Sequence, residues 1–294
     1  MATCKRTVAI AYDFDGTLAP GNMQEYNFIP DINMDKREFW MEANEIAEQH
    51  DMDEVLAYLY LMLAKAKEKN IPIKEETFMN YGRRLTFFPG VENFFKRINR
   101  YAAEKNLLVE HHIISSGIRE MIRGTSIAHE FKNIFASGFQ YDANGEACWP
   151  ALAVNYTNKT QFLFRINKGI NNAYDNRLIN KIVPEEDKPV PFSNMIYIGD
   201  GETDVPAMKM VKLQGGYAVA VYNPSLNLNN HNHANHNNHS NVSLDIIRNK
   251  RADYIAPANY SENSHLDLII KNIIDKIAAD QYLIEIKDTI LRVK

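Results

Sequence analysis

The 294-residue sequence predicts an α/β protein, a doubly wound parallel sheet core carrying an inserted helical block. Three observations lead there. Short apolar runs that end abruptly in polar loops recur along the chain, and helix-period stretches separate them. One block, residues 35–82, has helical periodicity and no strand-like alternation. Hydrophobic residues make up 45% and charged residues 24%, the composition of a chain that buries a core, which excludes disorder over most of its length.

Residues 7–12 (TVAIAY) form the first apolar run and stop at Asp13, the pattern of a buried central strand. In the helical block, Phe39, Trp40, Ala43, Ile46 and Ala47 recur at helical spacing, as do Val55, Leu56, Leu59 and Leu63. The turn at Pro89 and Gly90 closes it. Alternation then resumes, with a helix over 91–104, a strand over 108–114, a helix beginning at 117 and a strand over 133–139. Asn144-Gly145 supplies hairpin chemistry, so a β-hairpin is expected through about residue 156. A long helix is expected from near Asn158 to about residue 182. Strands at 195–198, 217–221 and 253–256, a helix at 205–213 and one or two closing helices from Ser264 complete the pattern.

Composition narrows the function. The formal net charge of −4 comes without a polybasic run, which argues against a dedicated nucleic-acid or anionic-membrane binder. No window approaches the roughly 18 uninterrupted apolar residues of a membrane span. Cys4 and Cys148 can build neither a disulfide framework nor a zinc site, which points to a reducing compartment. The apolar run near the N-terminus is too short for a signal-peptide core, so a cytoplasmic location is expected. Residues 227–241 (NLNNHNHANHNNHSN) hold four of the nine histidines but lack the apolar residues that hold a rigid metal site, and they read as a solvated loop.

Chemistry concentrates where three apolar runs end, the place where open α/β sheets bind ligands. Asp13-Phe14-Asp15-Gly16-Thr17-Leu18 follows the first. Two carboxylates two residues apart can divide nucleophilic attack from proton transfer, and their repulsion is relieved by a divalent cation. Oxygen-only ligands favour magnesium over zinc. Gly16 permits a sharp turn beside bound substrate. A second run ends in Ser115-Ser116-Gly117, whose hydroxyls and amides suit an anionic oxygen at a strand-to-helix turn. A third ends in Gly199-Asp200-Gly201-Glu202-Thr203-Asp204, with acidic residues at spacing four that can complete a hard-cation site.

DFDGTL, the serine after IIS, a lysine at a helix start and GDGETD, in that order, resemble the four motifs of the haloacid dehalogenase (HAD) superfamily. The resemblance spans residues 7–257 and is nearest to the phosphoserine-phosphatase-like branch, with a Rossmann-like core and a helical cap inserted between the first two motifs. It implies a core of residues 1–19 and 86–294 and a cap of residues 20–85. It implies that Asp13 is the nucleophile forming an aspartyl-phosphate, and that Asp15 protonates the leaving oxygen and then activates water. It implies Mg2+ held by Asp13, Asp200 and the backbone carbonyl of Asp15, with Asp204 orienting a metal-bound water from outside. Gly16, Ser115, Ser116, Gly117 and Lys159 are the expected phosphate-binding residues. Lys159 is favoured over Lys168 as the motif lysine, because Lys168 lies more than two turns into the expected helix. Dehalogenase members lack an acid at the position of Asp15, so its presence implies phosphate chemistry.

A small phosphorylated metabolite is the expected substrate, since a cap closing over the catalytic loop suits small esters. Arg83 and Arg84, where the cap returns to the core, read equally as substrate contacts or as surface charge. Phe39, Trp40, Tyr58 and Tyr60 read as cap core rather than a stacking platform. Two alternatives stay open: a phosphotransferase or phosphomutase using the same Asp13, and a non-catalytic HAD-like interaction protein.

Overall fold

The computed structural model describes residues 6–225 and 249–292. The Asn/His-rich segment 227–241 and Cys4 lie outside the described residues. Seven strands form one sheet in the order β4-β3-β2-β1-β5-β6-β7. These are β1 (Arg6–Tyr12), β2 (Leu107–Ile118), β3 (Phe131–Tyr141), β4 (Ala147–Leu152), β5 (Met195–Gly199), β6 (Tyr217–Tyr222) and β7 (Tyr254–Pro257). Every pairing is parallel except β3 with β4, the expected hairpin.

The strand order reverses at β1. It pairs with β2 on one side and β5 on the other, and Tyr12 stands level with Ile113 and Ile198. The carboxyl ends of these three strands therefore open into one crevice, the switch point where doubly wound sheets bind ligands. Alternate residues of β1 feed opposite layers. Val8, Ile10 and Tyr12 belong to one apolar cluster, which includes Phe94, Phe95 and Ile98 of α5 (Val91–Ala103). Ala9 and Ala11 belong to the other, which includes Phe162 and Leu163 of α7 (Lys159–Asn167) and Met208 of α9 (Val205–Leu213). Helices on both faces explain why the strand burial is continuous rather than alternating.

Between β1 and α5 the chain is helical, as its periodicity predicts. After a one-turn helix at Met23–Glu25 come α1 (Phe28–Asp31), α2 (Lys36–His50), α3 (Glu54–Glu68) and α4 (Glu75–Gly82). Asp35 and Asp53 cap α2 and α3, each carboxylate accepting two backbone N–H groups, which satisfies donors a helix start leaves unpaired. The block packs on the sheet through aromatic contacts, Phe78 stacking on Phe139 of β3 at 5.3 Å between ring centres.

Two expectations are corrected. The helix from residue 158 ends at Asn167 rather than near 182, because Gly169 (φ +68°) turns the chain, and only a short helix, α8 (Asn176–Asn180), follows. The helix expected at 117 begins instead as α6 (Arg119–Gly124), because β2 continues through Ser115-Ser116-Gly117 with a register break against β3. The closing helical stretch expected from Ser264 is one helix, α10 (His265–Arg292).

Candidate active site

Asp13 sits one residue beyond β1, where its N–H donates to the Ile198 carbonyl of β5 at 2.9 Å and holds the chain in line with the sheet. Both of its carboxylate oxygens are engaged. The Phe14 N–H reaches Oδ1 at 2.8 Å, and Lys159 Nζ lies 3.2 Å from Oδ2. Burial pushes the Asp13 carboxyl up to about 6; Lys159 draws it down and Asp204 adds to the rise.

Lys159, the first residue of α7, is 0% exposed. Its ammonium also contacts Asp204 Oδ1 at 2.7 Å and Thr203 Oγ1 at 3.4 Å. Burial disfavours its charge, but Asp13 and Asp204 outweigh that and hold it firmly protonated. Lys168 is placed elsewhere, donating to the carbonyls of Ile179 and Lys181. The early end of α7 puts it at the C-terminal cap, remote from Asp13.

Asp204 is fully buried and accepts four donors. Tyr197 Oη and Lys159 Nζ reach Oδ1, each at 2.7 Å, and the N–H groups of Asp200 and Gly201 reach Oδ2, each at 3.1 Å. That occupies the roughly four lone-pair sites of a carboxylate. Asp200 lies at the crevice end of β5, with Thr17 Oγ1 donating to its Oδ1 at 3.3 Å. Burial and the charges of Asp204 and Asp13 push its carboxyl well above the usual range. Oxygens of Asp13, Asp200 and Asp204 lie within 4.8 Å of one another. The Asp15 carboxylate is outside this group: its Oδ1 accepts the Met23 N–H at 3.0 Å, on the side of the helical block. Burial and the Asp13 charge push it well above its ordinary value.

Gly16 has a reason beyond the turn. Its φ is +73°, and a Cβ there would stand 2.1 Å from Asp200 Oδ2. Glycine therefore lets the DxDGT loop settle onto the acidic cluster. Ser115 is buried, and its Oγ accepts the Gly117 N–H at 3.0 Å, which leaves its hydroxyl hydrogen for another acceptor. Ser116 Oγ is buried with no hydrogen-bond partner. Its carbonyl accepts Tyr58 Oη of α3 at 2.5 Å, tying the helical block to the second loop.

Asp13, Asp15, Gly16, Ser115 and Asp200 line a crevice of about 700 Å³. Its far wall comes from the helical block, with Gln24, Glu25, Lys36, Trp40 and Tyr58. Trp40 and Tyr58 are thus wall residues as well as packing residues, Phe39 is core, and Tyr60 faces solvent. Arg83 and Arg84 are exposed and do not line the crevice; Arg83 pairs with Glu76 at 2.8 Å. Tyr197 carried no sequence signal, since in MIYIG it reads as one more apolar strand residue. Gln24 and Glu25 were equally silent, because only the fold of the block brings them opposite Asp13.

The fold and the crevice define a doubly wound α/β enzyme whose site sits beneath an inserted helical cap. The chain belongs to the haloacid dehalogenase-like hydrolase family, which matches residues 10–209. An uncharacterized protein of Borreliella burgdorferi is 29% identical over 228 residues, covering 69% of this chain and 78% of that protein. A substrate-bound phosphoserine phosphatase superposes with a TM-score of 0.54 at 14% identity, covering 91% of this chain and 99% of that one. A probable phosphoserine phosphatase from Vibrio cholerae gives a TM-score of 0.54 at 13% identity, covering 94% of this chain and 67% of that one. A HAD family hydrolase from Salmonella enterica gives 0.50 at 18%, covering 72% of this chain and 61% of that one. At these identities the superpositions establish the shared fold. Among the described residues, no helix is long and apolar enough to cross a membrane.

Proposed function

We propose that the protein is a magnesium-dependent phosphatase that hydrolyses a small phosphomonoester through an aspartyl-phosphate on Asp13. The observation that carries this reading is the convergence of Asp13, Lys159 and the Asp200 and Asp204 carboxylates at the sheet's switch point, with Asp15 beside them. An all-oxygen set of buried carboxylates that push one another's pKa upward fits a hard divalent cation. Asp13, Asp200 and the backbone carbonyl of Asp15 would hold it, and Asp204 would act from outside by anchoring Lys159. When bound, the cation supplies charge neutralisation for the phosphoryl oxygens and the attacking carboxylate.

An Asp13 oxygen attacks phosphorus, and the bond between phosphorus and the ester oxygen breaks. Asp15 gives its proton to that oxygen, and its raised pKa suits it to carry one. Asp15, now ionised, takes a proton from the water that attacks the phosphorus of the aspartyl-phosphate, releasing inorganic phosphate and restoring Asp13. The free hydroxyl hydrogen of Ser115, the N–H group of Ser116 and Lys159 hold the phosphoryl oxygens. Gly16 gives the loop its approach to Asp200.

The same reading assigns residues 1–19 and 86–294 to the catalytic core and 20–85 to the cap, supported by where the strands stop and resume. The cysteine-poor composition supports a cytoplasmic setting. Phosphate release from a panel of small phosphomonoesters, with magnesium and with chelator, tests the reading. Wild-type protein should release phosphate only with the cation, and Asp13→Asn should release none. Wild-type rates from Asp13→Asn would refute the nucleophile assignment; phosphoryl transfer to an added alcohol without phosphate release would make the enzyme a transferase.

A further inference from the structure

Helix α10 carries two stripes along its length. Leu266, Ile270, Ile273, Ile274 and Ile277 are buried against the core, and Gln281 is the last buried residue of that stripe. Beyond it, residues 282–287 and Ile290 are exposed. The second stripe runs along the outer face at spacings of three and four: Asn272, Lys276, Ala279, Leu283, Ile286 and Ile290. Each of these residues is exposed. The first part of the stripe is polar, and Lys276 sets its ammonium 5.2 Å from the Tyr217 ring centre. The second part is apolar, with Leu283 63%, Ile286 40% and Ile290 62% exposed and Tyr282 alongside.

Apolar residues that alternate spacings of three and four present the ridge into which a second α-helix packs. This ridge is complementary to an antiparallel copy of itself. With a two-fold axis passing between residues 284 and 285, Leu283 of each copy faces Ile286 of the other, and Ile290 faces the small Ala279. The same axis brings Asp280 of each copy beside Lys287 of the other, both of them exposed. A parallel pair would instead set Asp275 beside Asp280, two carboxylates. The apolar part exposes on the order of 500 Å² per chain, so a pair buries about 1,000 Å² in total, the area at which an interface becomes specific.

We infer that this surface is the contact between two copies of the chain, paired through antiparallel α10 helices over residues 279–290. Among the described residues, none from α10 lines the crevice at Asp13. The contact therefore lies apart from the catalytic site and stands independently of the phosphatase reading. Asn272 and Lys276 limit the pairing to the outer turns, because their polar ends keep that part of the stripe in water.

Sedimentation equilibrium of the full chain from about 1 to 200 µM tests this, a range that brackets the micromolar affinity of a contact of this size. The wild type should pass from monomer to dimer across it. Leu283→Glu combined with Ile286→Glu should stay monomeric throughout while keeping the wild-type circular dichroism spectrum, since both side chains are exposed. At low ionic strength Lys287→Asp should weaken the dimer about tenfold, because two exposed ion pairs become like-charge contacts. Adding Asp280→Lys should restore it. A parallel pair would not respond to Lys287→Asp, since Lys287 would then stand beside Tyr282. A wild type that is monomeric at the highest concentration, or a dimer that survives Leu283→Glu with Ile286→Glu, would overturn the contact. Dimerisation indifferent to Lys287→Asp, or not restored by Asp280→Lys, would overturn the antiparallel arrangement.

Discussion

Replacing the proposed nucleophile should stabilise the metal-free protein. Asp13 is buried, and its carboxyl is raised from 3.8 to about 6. A carboxylate whose pKa is raised by folding makes the folded state bind the proton more tightly than the unfolded chain does. Its destabilisation is therefore absent below pH 4, grows as pH rises through the window between the two values, and is complete above pH 6. The shift corresponds to about 3 kcal/mol at pH 8 and roughly half of that at pH 5. The asparagine of the Asp13→Asn variant would be neutral at every pH, would keep the shape of the side chain, and would leave Lys159 paired with Asp204. For 294 residues the unfolding entropy is about 0.6 kcal/mol/K, so Asp13→Asn should raise Tm by about 5 °C at pH 8 in chelator. The gain should shrink at pH 5, and excess magnesium should narrow it by stabilising the wild type more. Thermal unfolding followed by circular dichroism measures all four conditions. A variant that melts at or below the wild type at pH 8 in chelator would refute the claim that this cluster stores electrostatic strain when no cation is bound.

Gly16→Ala should weaken magnesium binding by about tenfold or more, since its Cβ would stand 2.1 Å from Asp200 Oδ2 and must push that carboxylate away; calorimetric titration reads it. Tyr197→Phe removes a 2.7 Å hydrogen bond from buried Asp204, and should cost about 1 kcal/mol in urea unfolding and lower kcat more than it changes KM, through a loosened Lys159. Deleting residues 227–241 should leave turnover within about twofold, because the composition of the tract lacks the apolar residues a built site needs; a tenfold loss in phosphate release would show that it contributes to the site.

Much of this arrangement was legible in the sequence because the signals are local. A strand that must be buried on both faces reads as an unbroken apolar run, and the chemistry of an α/β sheet has to sit where such runs stop. Asp13, Ser115 and Asp200 were found that way. The helices of the insertion were equally readable from the spacing of their apolar residues, whereas the capping by Asp35 and Asp53 came from the structure. Boundaries were less so. The helix from Lys159 ends at Asn167 because of a glycine turn, although the polar sequence beyond could have continued it. The strand through Ser115 runs on to Ile118 because β3 pairs with it beyond the end of β1, with Ile118 opposite Ser137 after a register break.

What the sequence determined by itself is the class of chemistry: which carboxylates, hydroxyls and ammonium groups lie at strand ends, and in what order. What only the tertiary structure decided is which of them touch. Lys159 and Lys168 are nine residues apart and alike in type, yet only the first meets Asp13, because the direction of a side chain depends on where its helix begins and stops. Arg83 and Arg84 stand where the cap returns to the core but face solvent, whereas Gln24, Glu25 and Trp40 form the opposing wall. Contacts across an inserted domain depend on how separate elements pack, and packing is set by the summed fit of many side chains, which no short stretch of sequence encodes.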